Sequence, residues 1–161
     1  MLVLLAILIF CGLLSLIAYF GTGSDEKNLK SFGSYPKKVQ ERIRKNHALD
    51  GKYKEPNLAV SLIGNFVVFT VVLFLLGLMV KTDSYLVNFM YLFFIGQIGN
   101  VFDLCVLDML WWRNSKRVRV SGTEDMHKEY QDITPHLHSF YRALVMFTVI
   151  AAVDAGLLLL L

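Results

Sequence analysis

The chain has 161 residues, of which 55% are hydrophobic, and its formal net charge is +3 at pH 7. This apolar fraction excludes an ordinary soluble domain of this length and is typical of a membrane protein. Because one helical span needs about 20 residues, the chain has room for one domain of about four spans. The two cysteines, Cys11 and Cys105, both lie in apolar stretches and indicate no disulfide framework.

Four apolar stretches alternate with polar connections, and they predict an all-α fold, an integral membrane four-helix bundle. The spans are expected at about residues 1–20, 58–80, 85–112 and 135–161. No basic segment precedes the first stretch and no small-x-small cleavage site follows Phe20, so we expect a retained span rather than a cleaved signal peptide. Only residues 81–84 join the second span to the third, which predicts an antiparallel hairpin.

The two long polar connections, residues 21–57 and 113–134, hold most of the positive charge. They contain nine and five of the sixteen Lys and Arg residues, and both lie on the same side of a four-span topology. Such an excess of basic residues marks the cytoplasmic side of a membrane protein. We therefore expect a multi-pass protein of the cell membrane with both long loops cytoplasmic and both termini outside.

Short elements are predicted within these loops. A helix over about residues 34–43 would carry Val39 and Ile43 as a thin apolar stripe, which either lies on an anionic leaflet or docks on the bundle. Residues 117–120 alternate between basic and apolar side chains, which predicts a short strand or an extended segment. A capping-box pattern at Ser121 and Glu124 predicts a second short helix that ends at about Gln131.

The third span carries polar side chains at depths where they are costly, namely Gln97, Asn100, Asp103 and Asp108. With about 100° of rotation per residue in an α-helix, these four form one broad stripe that opens toward the cytoplasmic face. No basic residue lies at the depth of Asp103 in the other spans. We therefore expect its carboxyl to be protonated, hydrogen-bonded, hydrated or bound to a cation.

Titratable residues near the start of the fourth span are expected at the mouth of this stripe. Glu124 and His127 have E-x-x-H spacing, while Asp132 lies four residues before His136 and His138 follows closely. Carboxylates and imidazoles in such a cluster bind divalent transition metals. The predicted metal ligands are Asp108, Glu124, Asp132, His136 and His138. Solvated loop chemistry and helix capping are the alternative interpretation of this cluster.

These features predict a membrane-embedded enzyme, with or without a metal, that acts on a lipid-like or prenyl-like substrate at the cytoplasmic face. The candidate catalytic residues are Asp103, Asp108, Glu124 and His127. The candidate substrate-binding residues are Asn65, Gln97, Asn100, Arg113 and Arg142. Two competing interpretations stay open: Asn65 serves helix packing beside Gly64, and Asp108 forms a salt bridge with Arg142.

A non-enzymatic transporter, channel or accessory subunit is the alternative function. It requires a homo-oligomer, because four spans are few for a transport path, and Asp103, Asn100 and Asn65 would line a shared pathway. A partner-binding scaffold that uses the basic loops is a third interpretation. No G-x-S-x-G, P-loop, H-E-x-x-H or C-x-x-C motif supports nucleophile-based or nucleotide hydrolysis. The expected partners are the lipid bilayer and a lipid-like ligand, and nucleic acid is not among them.

Overall fold

The computed structural model describes residues 1–161 and is helical, without β-strands, which confirms the all-α prediction. Its helices are α1 (Leu2–Phe20), α2 (Asp25–Lys30), α3 (Lys37–Arg44), α4 (Leu58–Leu78), α5 (Tyr85–Phe102) and α6 (Thr134–Leu158). A π-helical segment, Asp103–Trp112, directly continues α5. By length and composition, α1, α4, α5 with its π-helical continuation, and α6 can each cross a membrane.

Local sequence signals explain where the long helices begin. The Asn57 side chain accepts a hydrogen bond from the Val60 N–H at 3.1 Å and so caps α4. Pro135 lies in the first turn of α6, where its missing N–H costs no hydrogen bond. The Thr134 N–H, which has no partner within the helix, donates to Asp132 Oδ1 at 2.9 Å.

One apolar core joins the four long helices, with α5 in contact with the other three. Phe10 of α1 packs edge-on against Phe69 of α4 and Phe147 of α6, with ring centroids 6.1 and 5.9 Å away. The two glycines of α5 make this approach possible: a side chain at Gly99 would overlap the Phe10 ring, and one at Gly96 would press on Phe147. Small residues allow such close packing between membrane helices.

The first half of α4 lies apart from this core. Every residue from 58 to 65 is exposed, whereas Leu73, Leu76 and Gly77 further along the helix are buried. Since only the second half of α4 is packed into the bundle, the facing side of α6 is left open at that level. Asn65, in the exposed half, makes no side-chain hydrogen bond within the chain, and no other part of the chain approaches Gly64.

The two long polar connections fold together around a second, smaller core. We call this unit the cap and define it as residues 21–57 and 113–133. Its buried side chains are Leu29, Phe32, Tyr35, Val39, Ile43, Leu49, Val118, Val120, Met126 and Tyr130. Because Val39 and Ile43 of α3 are completely buried there, their apolar stripe is unavailable to a lipid surface.

Buried hydrogen bonds hold the two halves of the cap together. The Asn28 side-chain amide donates to the carbonyls of Arg117 and Arg119 at 3.1 and 3.2 Å, and the Tyr35 hydroxyl donates to the Val118 carbonyl at 2.8 Å. Burial raises the pKa of the Tyr35 phenol well above its usual range, so the hydroxyl stays protonated and can donate. Three successive carbonyls of one connection are thus satisfied by side chains of the other.

The second connection differs from its predicted structure. Lys116–Val118 forms a 3₁₀ turn rather than a strand. The short α-helix predicted to begin after Ser121 is absent. Gly122 has a φ of +83°, which lies outside the right-handed helical region. The Glu124 carboxylate accepts a hydrogen bond from the Gly122 N–H at 2.9 Å, whereas a capping box would direct it to the Ser121 N–H. Only a 3₁₀ turn, Glu129–Gln131, precedes α6.

Replacing Tyr35 by Phe tests the hydrogen bonding within the cap. The substitution leaves the Val118 carbonyl without its partner, and we expect local opening of the cap to become easier by about 1–3 kcal/mol. Hydrogen exchange of the backbone amides of residues 117–121, followed by mass spectrometry, measures this change. Tyr53→Phe is the matched control, since Tyr53 packs on Phe32 in the same core. Equal acceleration in both variants, or none in Tyr35→Phe, would contradict the assignment.

Candidate functional site

A cavity of about 300 Å³ lies where the cap meets the helix bundle. Its walls come from the end of α1, the cap, the π-helical segment and the first turns of α6. The titratable side chains in the wall are Asp103, Asp108, Tyr35 and His136. Neutral hydroxyl groups also line it, from Thr22, Ser31, Ser34 and Ser139. The cavity is therefore a polar chamber at one end of an apolar bundle.

The π-helical segment brings the two aspartates of this wall to the same side. In an α-helix, residues i and i+5 lie about 140° apart around the axis. In a π-helix each hydrogen bond joins residues five apart, so such residues lie about one turn apart. The Arg113 N–H, for example, donates to the Asp108 carbonyl at 3.2 Å. Asp103 and Asp108 consequently face one cavity, which the α-helical geometry assumed for the predicted stripe does not give.

A hydrogen bond between Asp108 and His136 links the third span to the fourth. Asp108 Oδ1 lies 2.9 Å from His136 Nδ1, and His136 is only 6% exposed. Because a carboxylate oxygen accepts hydrogen bonds, this contact is made by the Nδ1–H of the imidazole. His136 Nε2 is buried and has no hydrogen-bond partner. The pair therefore presents an imidazole that is oriented by a carboxylate and has one ring nitrogen without a partner.

Aromatic rings fix the imidazole from the side of the cap. The Trp112 ring packs edge-on against His136 with centroids 4.8 Å apart. Trp112 also contacts Tyr35 at 5.3 Å and Tyr130 at 5.7 Å, both of which belong to the core of the cap. The position of His136 thus depends on the folding of the cap as well as on α6.

The predicted metal site is not formed. Of its five residues, Asp108 and His136 lie together in the cavity, whereas Glu124, Asp132 and His138 are exposed. Asp132 accepts a hydrogen bond from the Thr134 N–H at the start of α6, as helix capping requires, whereas Glu124 accepts one from the Gly122 N–H in a non-helical turn. His138 follows His136 by two positions, about 200° around an α-helix, and so faces away from it. No three His, Cys, Asp or Glu side chains are arranged to hold a metal ion.

The predicted catalytic residues divide between the cavity and the protein surface. Asp103 and Asp108 line the cavity, but Glu124 and His127 are exposed on the cap and are not part of its wall. His136, which the sequence indicated only as a metal ligand, supplies the imidazole instead. No local pattern could have paired it with Asp108, because the two residues lie on different spans.

The predicted substrate-binding residues of α5 hold helices together. The Gln97 side-chain amide donates to the Leu144 carbonyl at 2.9 Å, and the Asn100 amide donates to the Phe140 carbonyl at 3.3 Å. Both bonds cross from α5 to α6, and Asn100 is buried. Neither side chain lines the cavity. Interhelical hydrogen bonding explains the presence of these two polar side chains in a largely apolar helix.

The two predicted substrate-binding arginines also lie outside the cavity. The Arg113 guanidinium donates to the Gln131 carbonyl at 2.7 Å and so ties the end of the third span to the entrance of the fourth. The exposed Arg142 donates to Ser139 Oγ at 3.1 Å. The Asp108–Arg142 salt bridge is not formed, since Asp108 pairs with His136.

Comparison with known proteins supplies no identity for this site. No family model, curated protein or solved structure matches the chain. The chemistry of the cavity is therefore inferred from its own residues and geometry.

A double-mutant cycle tests the pair at the centre of the site. We expect Asp108→Ala and His136→Ala to be coupled by about 1–3 kcal/mol in the free energy of unfolding, because either substitution leaves a buried partner unsatisfied. Unfolding of the purified protein in detergent provides the measurement. Asp108→Ala combined with the exposed-site variant His138→Ala is the control and should be additive within about 0.5 kcal/mol. Additivity in the Asp108 and His136 cycle would show that the two side chains do not interact.

Proposed function

We propose that this chain is a membrane-embedded acid–base enzyme that acts on a lipid-like or prenyl-like substrate at the cytoplasmic face. The observation that carries the proposal is the Asp108–His136 pair, with an Nδ1–Oδ1 distance of 2.9 Å and an unpartnered Nε2. A second carboxyl, Asp103, lies in the same cavity wall. Titratable groups that converge in a concave site in this way are the usual components of acid–base catalysis.

The exposed surface of the long helices supports a location in the bilayer. Leu4, Val60, Leu86 and Val145, one from each long helix, are between 63% and 66% exposed. Large apolar side chains exposed on every helix favour hydrocarbon rather than water as the solvent. The basic residues of both long connections are gathered in the cap, which favours a cytoplasmic position for the cap and for the cavity beneath it.

The proposed chemistry assigns a role to each group of the cavity. His136 Nε2 takes a proton from a water molecule or from a hydroxyl of the substrate. Asp108 holds the imidazole in the required tautomer and stabilises the imidazolium that forms, as carboxylate partners of catalytic histidines do. The deprotonated oxygen forms a bond to the substrate as the bond to the departing group breaks, and Asp103 gives a proton to that group. The hydroxyls of Ser31 and Ser34 offer hydrogen bonds to a polar headgroup.

The arrangement of polar residues does not favour the transporter alternative. That alternative needs Asp103, Asn100 and Asn65 along one pathway. Asn65 is exposed on α4, whereas Asn100 is buried and donates to a carbonyl of α6. These two residues share no surface within the chain, whereas the titratable groups gather in one cavity at one end of the bundle, and this concentration favours the enzyme.

The proposed orientation can be tested by labelling single cysteines in intact cells. In a background with Cys11→Ala and Cys105→Ala, we expect D83C to react with a membrane-impermeant maleimide added outside. K128C, in the cap, should react only after the membrane is permeabilised, because the positive-inside rule places the cap in the cytoplasm. Both positions are exposed, so the contrast reports sidedness rather than burial. Outside labelling of K128C would overturn the orientation.

The proposed activity can be tested with protein reconstituted into vesicles of total membrane lipid supplemented with prenyl phosphates. We expect mass spectrometry of the extracted lipids to show conversion of one component. His136→Ala should slow this conversion by about 100-fold or more, since general acid–base catalysis contributes about 10²- to 10⁴-fold. His138→Ala and Glu124→Gln are matched controls at exposed sites and should retain the wild-type rate. Absence of conversion by the wild-type protein, or an unaffected His136→Ala variant, would contradict the proposal.

A further inference from the structure

A second concavity lies on the lateral surface of the bundle, between α4 and α6. It has a volume of about 610 Å³, and seven of its eight lining residues are hydrophobic. The lining comes from residues 62–66 of α4 and residues 141–149 of α6, so we call it the α4–α6 groove. It is separate from the polar cavity described above, which α4 does not line.

The groove exists because the first half of α4 diverges from α6. Residues 58–65 are exposed, and no other part of the chain fills the space between the two helices. In a bilayer such a space is occupied by something apolar, because water finds no hydrogen-bonding partners along hydrophobic walls. The shape and lining of the groove therefore fit a hydrocarbon chain.

One residue gives the groove a polar end. Arg142 is the only charged side chain in its lining, and it forms no salt bridge; its guanidinium donates to Ser139 Oγ at 3.1 Å. An unpaired cation beside an apolar groove attracts an anion, and the planar guanidinium fork matches a phosphate group. Basic residues near the cytoplasmic leaflet recognise anionic lipid headgroups in the same way.

The position of Arg142 along α6 sets the direction of a bound amphiphile. Arg142 lies eight positions after the start of the helix at Thr134, and therefore about 12 Å from the polar end of α6. The remaining lining of α6 continues to Val149, about 10 Å further toward the middle of the helix. A headgroup at Arg142 and a tail that runs toward Val149 would follow the ordinary orientation of a lipid in the cytoplasmic leaflet.

We propose that the α4–α6 groove binds a phosphate-bearing membrane lipid, with its phosphate on Arg142 and a hydrocarbon chain along α6. Ser139 accepts the hydrogen bond from Arg142 and also lines the polar cavity, so the phosphate end lies next to that cavity. A phosphate-bearing lipid bound there would be the substrate of the enzyme, and in this respect the inference rests on the proposed function. The binding of the lipid is measured independently of any reaction.

Native mass spectrometry of the purified protein tests this binding with dioleoyl phosphatidylglycerol and dioleoyl phosphatidylcholine as probes. We expect one phosphatidylglycerol molecule to bind about tenfold more tightly than phosphatidylcholine. Arg142→Gln should weaken phosphatidylglycerol binding about tenfold or more, as expected for the loss of a charge-assisted hydrogen bond, and Arg142→Lys should retain part of the affinity. Val145→Trp, which fills the groove, should weaken the binding of both lipids.

Two controls separate this inference from its alternatives. Lys81→Gln removes an equal charge at the opposite end of the bundle and should bind phosphatidylglycerol like the wild-type protein. Unchanged binding in Arg142→Gln or Val145→Trp, or an equal loss in Lys81→Gln, would overturn the assignment. Thermal unfolding of each variant shows whether the fold is retained.

The His136→Ala variant distinguishes failure of the groove from failure of the proposed enzyme. It should bind phosphatidylglycerol at wild-type affinity while it loses lipid conversion. Conversion that depends on His136 without lipid binding in the groove would remove only the groove proposal. Lipid binding that depends on Arg142, without any conversion by the wild-type protein, would remove only the proposed enzyme.

Discussion

The short connection between α4 and α5 is the constraint on which the rest of the architecture depends. Residues 79–84 leave no room for anything but an antiparallel hairpin, so the two long polar connections emerge at the same end of the bundle. Being neighbours, they bury a common core and satisfy one another's backbone, as the bonds of Asn28 and Tyr35 to residues 117–119 show. The cap in turn forms one wall of the cavity and covers this end of the bundle.

Two features of the chain give the cavity its geometry. The π-helical segment turns Asp103 and Asp108 to one side, and the hydrogen bond from His136 joins Asp108 to the fourth span. Trp112, at the end of the π-helical segment, packs on His136 of α6 and on Tyr35 of the cap, and so connects these two helices to the cap. Bundle, cap and site are therefore mechanically linked, and loosening of the cap would release the imidazole from one of its supports.

Hydropathy alone predicted the four long helices, because about 20 consecutive apolar residues leave few alternatives to a span. Asp103 and Asp108 were identified as unusual for a related reason, since carboxyls are rare at such depth. Asp108 and His136 were predicted to lie in one cluster, as metal ligands, but the direct hydrogen bond between them could not be predicted, because it depends on how two spans pack. The predicted capping box was wrong because Gly122 has a positive φ, which is not compatible with a right-handed helix at this position. Glu124 and Asp132, which were predicted to bind a metal, accept hydrogen bonds from nearby backbone N–H groups instead. A carboxylate is suited to either role, so the residue types alone could not distinguish them.

The π-helical segment also has a consequence for which changes in sequence length the protein can tolerate. A π-helix can be regarded as an α-helix that has accommodated extra residues without breaking its hydrogen-bonded ladder. Deleting one residue between Asp103 and Asp108 would let the ladder relax toward ordinary α-helical winding. Hydrophobicity and span length would barely change, yet the carboxylate of Asp108 would rotate away from its imidazole. Chain shortening in this span, usually regarded as harmless when the hydrophobic length is kept, would here remove the hydrogen bond between Asp108 and His136 while the rest of the contact between α5 and α6 remains.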